Sequence, residues 1–300
     1  MLVTKTAETS PANTMKYAKS IAELMKLRLS FLVVFSAVVS FAMASKSFSS
    51  IDWTAVLLLV CGGFLVTGAS NGFNQIIEKD LDKLMNRTQQ RPLPQERLGV
   101  VDALIFSSIS GVLGIWILWH FMNPLSGILG LVALVSYVLI YTPLKRITPF
   151  AVFVGAFPGA IPPMLGWVAA TNDLGLQALV LFSVQFIWQF PHFWSLAWVL
   201  DDDYKKAGFR LLPSPKGRSK ATAIQILIYN VGLIPISLLP FAFKMSGIIS
   251  AVICVVAGLF FLYKAWLLFK SGEVADARKL MFASFIYLPI VQLALMFDKI

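Results

Sequence analysis

Charged side chains are scarce in this 300-residue chain, where Asp, Glu, Lys and Arg together make up 13% of the residues. With 58% hydrophobic residues and a mean hydropathy of +0.77, the composition excludes a disordered chain and disfavours a water-soluble globule. Cysteine is nearly absent, and both Cys61 and Cys254 lie in apolar runs, so neither a disulfide framework nor a zinc site is indicated. We also expect no cleaved signal peptide, because the first apolar run begins near Leu29 behind a polar stretch. The composition is typical of a polytopic membrane protein.

Long apolar runs fill most of the chain. Runs of about 18 to 25 apolar residues are long enough to cross a bilayer as helices. Such runs lie near residues 28–45, 53–77, 99–121, 124–142, 149–170, 175–200, 221–240, 246–268 and 279–297. The sequence therefore predicts an all-α membrane protein with nine transmembrane helices. We expect residues 1–20 to be a flexible cytoplasmic tail and residues 21–300 to form a single domain.

The basic residues are distributed unevenly between the two sides of the predicted bundle. Of the 25 lysines and arginines, all but Lys46, Lys244 and Lys299 fall in the tail, in loops on one side or at the span ends next to them. The positive-inside rule makes that side cytoplasmic, with the C-terminus outside. The net charge of +10 therefore has a topological explanation, and nucleic-acid binding is disfavoured because the cations are spread over membrane loops.

A stripe of amides and carboxylates follows the second apolar run. At about 100° per residue, the side chains of Asn71, Asn74, Glu78 and Asp82 fall within about 80° of one helix face. Asp80 is turned away from that face. Oxygen ligands in this number suit Mg²⁺, which usually arrives with phosphates, and such a stripe is costly at a membrane unless it holds a cation. Arg87 and Arg91 follow at once and are placed to bind the phosphates, so the stripe predicts a diphosphate-using enzyme.

A second acidic cluster, Asp201 to Asp203, ends the sixth run and is followed by Lys205 and Lys206. Its position four spans after the first cluster suggests a duplicated four-helix unit facing a shared cavity, with Mg²⁺ sites on both sides of a diphosphate. The alternative is a solvated helix end. Lys145 and Arg146, after the fourth run, either add cations to the phosphate pocket or only set the topology.

His192 is an ionisable residue inside the sixth run and is therefore a functional candidate. Helical periodicity places Gln189, His192, Asp203 and Lys206 on one face. The imidazole could ligate a heme iron, shuttle a proton or hydrogen-bond a diphosphate. The alternative is a histidine that bonds a neighbouring helix.

The stripe Asn74-x-x-x-Glu78-x-x-x-Asp82 resembles the first acidic motif of the UbiA-type intramembrane prenyltransferases, with glutamate in the middle position. Within them, NQ-x-x-E-x-D-x-D, YTPLKR-x-TP, WQ-x-PHFW and DDY-x-x-AG are similar to motifs of the subfamily that farnesylates protoheme IX. The resemblance covers roughly residues 20 to 295. It implies nine helices around a central cavity, with farnesyl diphosphate and heme B as substrates.

The resemblance, together with the cations singled out above, predicts a role for each of these residues. The catalytic set is Asn71, Asn74, Glu78, Asp82, Arg87 and Arg91. The diphosphate ligands are Arg87, Arg91, Lys145, Arg146 and Lys206, and the Mg²⁺ ligands are Asn74, Glu78, Asp82, Asp202 and Asp203. His192 matches the histidine of the PHFW motif and is the candidate heme-binding residue.

The activity that this resemblance implies is Mg²⁺-dependent transfer of a farnesyl group to a heme vinyl group, with addition of water, giving heme O and diphosphate. The implied location is the cell membrane, with the acidic motifs on the cytoplasmic side and a downstream heme A synthase as a candidate partner. Two alternatives are left open: prenylation of an aromatic quinone precursor, and transport of an anionic solute. Transport is the weaker one, because the polar groups cluster at one face rather than at the bilayer midplane.

Overall fold

The computed structural model describes residues 11–300 of this chain, with side chains from residue 15 onward. Within that range the regular elements are helices, and the extended pairing is limited to one bridge between Ser246 and Lys299. A short helix, α1 (Pro11–Met25), precedes a series of long helical segments. These are α2 (Leu27–Ala44), α3 (Trp53–Asp82), α4 (Val100–Met122), α5 (Pro124–Leu144), α6 (Ala151–Thr171), α7 (Leu176–Lys206), α8 (Lys220–Ala242), α9 (Ile248–Ser271) and α10 (Val274–Phe297).

Among the described residues, eight of these segments are both long and apolar enough to cross a membrane. The remaining segment, α7, has 31 residues and a length of about 46 Å, but it carries Gln185, Gln189 and His192 in its middle. The all-α membrane fold predicted from the apolar runs is confirmed. The predicted count of nine is close, and α7 is the segment whose polar side chains set it apart.

The segments pack as a closed bundle. Along the chain each contacts its neighbours, and α2 also packs against α6 while α10 packs against both α7 and α2. One hydrophobic cluster lies among α7 to α10, and a second lies among α2, α3 and α6. Large apolar side chains such as Trp53, Leu57 and Val112 stay exposed on the outside, as a lipid-facing surface requires.

Two helices extend beyond their predicted ends and carry the acidic motifs with them. The predicted spans end at residues 77 and 200, whereas α3 continues to Asp82 and α7 to Lys206. Neither proline nor glycine interrupts residues 73–82 or 192–206, so nothing in the sequence stops either helix earlier. We call the end of the bundle where α3 and α7 finish the motif face.

The junction between α1 and α2 is a sharp elbow held by α3. The Asn71 amide donates to the carbonyl of Met25 at 3.2 Å, and the Gln75 amide donates to that of Leu24 at 2.7 Å. Lys26 follows with a φ of 49°, a left-handed conformation that is uncommon for a residue with a side chain. The predicted tail ends inside this region: residues 1–10 lie outside the described residues, and residues 11–20 belong to α1.

Candidate active site

The stripe on α3 is buried in the bundle. Asn71, Asn74, Glu78 and Asp82 are each at most 4% exposed, whereas the Asp80 side chain is 74% exposed. This is the arrangement that helical periodicity predicted, because a continuous helix turns residue 80 away from the other four. Four polar side chains on one buried face need partners from elsewhere in the chain.

Glu78 is paired with a lysine from the end of α5. The Lys145 ammonium lies 2.5 Å from a Glu78 carboxylate oxygen, and Lys145 is itself buried between the rings of Tyr141 and Phe209. Burial lowers the pKa of Lys145, and the charge of Glu78 offsets part of that change by raising it. The Asn74 amide donates to the Thr142 hydroxyl at 3.2 Å on the same segment. This part of the stripe therefore faces the end of α5.

Asp82 is paired with Arg91 from the loop that follows α3. A guanidinium nitrogen of Arg91 lies 2.6 Å from the Asp82 Oδ2, and the Thr88 hydroxyl bonds the backbone carbonyl of Asp82. Arg87 lies over the Tyr204 ring, with its guanidinium carbon 5.5 Å from the ring centroid. We call this largely buried group of side chains, which consists of Asn74, Glu78, Asp82, Arg91 and Lys145, the motif chamber.

The second acidic motif meets the first through one residue, Asp203. Its carboxylate accepts hydrogen bonds from the backbone N–H groups of Asn86 at 2.8 Å and Arg87 at 3.1 Å, and Lys206 lies 3.2 Å away. Asp202 points elsewhere, with 76% of its side chain exposed and Arg218 at 2.8 Å. Asp201 forms an ion pair with Lys205, one turn further along the same helix.

The predicted five-ligand magnesium set is not assembled as one cluster. Among the described residues, no three Asp, Glu, His or Cys side chains come together as a metal site. The physical reason is that each motif carboxylate is paired with a cation or a backbone donor, and Asp202 is turned outward. The α3 residues still fit Mg²⁺, because the buried Asp82 Oδ1 has no hydrogen-bond partner and is a hard oxygen donor.

His192 is joined to a neighbouring helix. Its Nδ1 is 2.7 Å from the Ser284 hydroxyl on α10, and its ring stacks on Trp188 at 4.6 Å. Gln189, predicted to share its face, instead donates to the carbonyl of Ala156 on α6. The structure therefore places His192 between α7 and α10, about 20 Å along α7 from Lys206. Heme binding by His192 stays a prediction.

Two further cations occupy positions that the sequence did not indicate. Lys26, one of the basic residues that set the topology, is half-buried at the elbow. Its partial burial lowers its pKa, and the charges of Arg91 and Lys145 lower that pKa further. Nothing in its spacing separates it from other lysines of the N-terminal region, so only the fold reveals it. Arg146 is exposed and lies beside the motif chamber rather than in it.

Comparison with known proteins identifies the family to which this chain belongs. The model of the UbiA prenyltransferase family matches residues 33–287. The chain belongs to the UbiA prenyltransferase family. A relative from Cytophaga hutchinsonii named protoheme IX farnesyltransferase is 48% identical, covering 93% of this chain and 96% of its own length. A relative of the same name from Flavobacterium psychrophilum is 44% identical, covering 97% of this chain and 99% of its own length.

Solved structures show the same fold at lower identity. A digeranylgeranylglyceryl phosphate synthase has a TM-score of 0.78 at 21% identity, covering 94% of this chain and 98% of that chain. A UbiA homolog from Archaeoglobus fulgidus, bound to GPP and Mg²⁺, has a TM-score of 0.69 at 11% identity, covering 92% of this chain and 99% of that chain. This UbiA-family chain is thus an intramembrane prenyltransferase whose motif chamber lies at one end of the bundle.

Proposed function

We propose that this UbiA-family enzyme transfers the farnesyl group of farnesyl diphosphate to a vinyl group of heme B, giving heme O and diphosphate. The observation that carries the proposal is a buried cluster of paired carboxylates and cations in a chain whose relatives, matched over nearly their full length, are named protoheme IX farnesyltransferase. Prenylation of a quinone precursor would use the same chamber, but the names of these relatives favour heme.

The cations of the chamber supply electrostatic stabilisation of the leaving group. Lys145 and Arg91, with Arg87 and Lys206 at the rim, carry positive charge to a region closed to bulk water, where such charge acts strongly. Diphosphate binding would draw Lys145 from Glu78 and Arg91 from Asp82, so the ion pairs exchange partners. Arg and Lys are the side chains that bind phosphate oxygens best.

The same exchange would release the carboxylates for a metal. Asn74, Glu78 and Asp82 are the residues that would hold Mg²⁺, and the free Asp82 Oδ1 supports this assignment. A Mg²⁺ ion bound there supplies further positive charge to the diphosphate leaving group. The second acidic motif would contribute through Asp203, which fixes the loop that carries Arg87. Asp202 points outward and binds Arg218 instead.

The chemistry needs no protein nucleophile. The bond between farnesyl C1 and the diphosphate oxygen breaks, a heme vinyl carbon bonds to C1, and water adds to the resulting cation with loss of a proton. Tyr141 and Tyr204 place aromatic rings beside the chamber cations, and aromatic faces attract a carbocation as well. The apolar interior of the bundle would hold the isoprenoid tail away from water.

Asp82, the last carboxylate of the stripe, provides a test with an internal control. We expect Asp82→Asn to lower heme O formation by about a hundredfold or more, because Arg91 loses its charge partner and the metal loses a ligand. Asp80→Asn changes the same residue type two positions away on the exposed side of α3 and should keep full activity. The measurement is mass spectrometry of the porphyrin after incubation with farnesyl diphosphate, heme B and Mg²⁺. Equal activity in both variants would contradict the proposal.

A further inference from the structure

A crevice opens on the outer surface of the bundle beside the motif chamber. It has a volume of about 480 Å³, within the roughly 300 to 1,000 Å³ that is typical of ligand sites. One wall is the last part of α3, and the other is the segment 142–147 at the end of α5. The crevice is therefore adjacent to both elements that form the chamber.

The walls of this crevice are apolar and accessible. Ile77 is 48% exposed and Ile147 is 73% exposed, and the partly buried Leu81 lies between them and the interior. Arg146 stands at the same opening, is exposed, and takes part in none of the ion pairs formed by the described side chains. An unpaired guanidinium beside an apolar slot suits a flat apolar molecule that carries a carboxylate.

The floor of the crevice belongs to the motif chamber. Glu78 and Thr142 line the crevice, and they also bind Lys145 and Asn74 inside the chamber. A molecule in the crevice would thus present its inner edge to the place where the diphosphate end of the prenyl donor is held. That continuity is what an acceptor site requires.

We propose that this crevice binds the heme acceptor, with a propionate on Arg146 and the vinyl edge directed at Glu78. The proposal rests on the function proposed above. In heme B the two propionates leave one side of the macrocycle and the vinyl groups lie toward the other, so a propionate at the opening directs the vinyl edge inward. Arg146 is then a ligand of the acceptor, not of the diphosphate as its sequence position suggested.

This site and His192 are competing positions for heme. His192 lies about 20 Å from the motif face along α7, between α7 and α10, whereas the crevice lies at the motif face itself. The proposed heme position therefore does not use that imidazole as an iron ligand. We therefore expect His192→Ala to leave the absorption maximum of the bound heme unchanged.

The test compares heme with its dimethyl ester, in which both propionates are uncharged. Binding is measured by absorbance titration of the purified enzyme without farnesyl diphosphate. We expect the wild type to bind heme about tenfold more tightly than the ester, and Arg146→Gln to bind both as weakly as the wild type binds the ester. Arg146→Lys should recover part of the difference. The matched control is Arg278→Gln, an exposed arginine outside the site.

Steady-state kinetics provide the second readout. Arg146→Gln should raise the KM for heme and leave the KM for farnesyl diphosphate unchanged, and Ile77→Trp should have the same effect by filling the crevice. A raised KM for farnesyl diphosphate with normal heme binding in Arg146→Gln would overturn the proposal and would identify Arg146 as a diphosphate ligand. A shift of the absorption maximum in His192→Ala would also overturn it. If the wild type forms no farnesylated porphyrin but binds heme through Arg146, the proposed function fails and the heme site stands.

Discussion

At the scale of single residues, the buried ion pairs are the main feature of this enzyme. Glu78 and Lys145 are both less than 10% exposed, although charged residues are rarely buried without a purpose. The cost of removing two charges from water is large, and a buried pair often adds little net stability over apolar residues of similar volume. A role in binding, rather than in holding the fold, accounts better for this pair.

Variants of the Glu78–Lys145 pair should therefore affect stability and activity differently. Glu78→Gln and Lys145→Met should each lower the free energy of unfolding, by about 3 kcal/mol or more, because each leaves one buried charge without a partner. The double variant should regain most of that stability and remain inactive. Thermal unfolding in detergent and the heme O assay measure the two properties. A double variant that regains activity would show that the pair is only structural.

At the scale of elements, the two acidic motifs have different tasks. The α3 motif lines the chamber with side-chain oxygens, whereas the α7 motif reaches the first motif through Asp203 and the backbone of Asn86 and Arg87. A carboxylate that accepts two backbone N–H bonds fixes the conformation of the loop that donates them. Asp203 thus holds Arg87 in position over Tyr204.

The anchoring role of Asp203 predicts a change in loop protection. Asp203→Asn should weaken the bonds to the loop after α3 and increase tryptic cleavage at Arg87 by several-fold, because a loosened loop opens more often. Asp202→Asn is the matched control, since that side chain is mostly exposed and binds Arg218 instead. Limited proteolysis followed by mass spectrometry of the fragments measures the effect. Equal cleavage in both variants would show that Asp203 does not anchor the loop after α3.

The elements were largely predictable, and the contacts between them were not. Apolar run length predicts the spans, and helical periodicity predicts which of Asp80 and Asp82 faces inward, because both depend on local sequence. The Glu78–Lys145 pair joins residues far apart in the chain, and the elbow at Lys26 depends on amides from α3. Neither leaves a local pattern. Asp202 and Asp203 look equivalent in sequence, and only the direction in which α7 ends distinguishes them.

At the scale of the whole molecule, the ends of the bundle differ in charge and in chemistry. The motif face carries the chamber, the crevice and the loops that hold nearly all basic residues. The opposite end is held together by the C-terminus, where the Lys299 ammonium binds the carbonyls of Ala42 and Ser45 and Asp298 binds the backbone N–H of Ser250. The substrates therefore have one charged end at which to bind.

The charge difference predicts the orientation of the enzyme in its membrane. Basic loops stay in the cytoplasm, so the motif face should be cytoplasmic and the loop between α8 and α9 should be outside. In a background with Cys61 and Cys254 replaced by serine, we expect a membrane-impermeant maleimide to label Lys244→Cys in intact cells. Lys216→Cys, in the loop after α7, should be labelled only after the membrane is opened, because Lys216 is exposed but lies on the motif face. Reversed labelling would place the chamber outside, on the side opposite to that given by the basic loops.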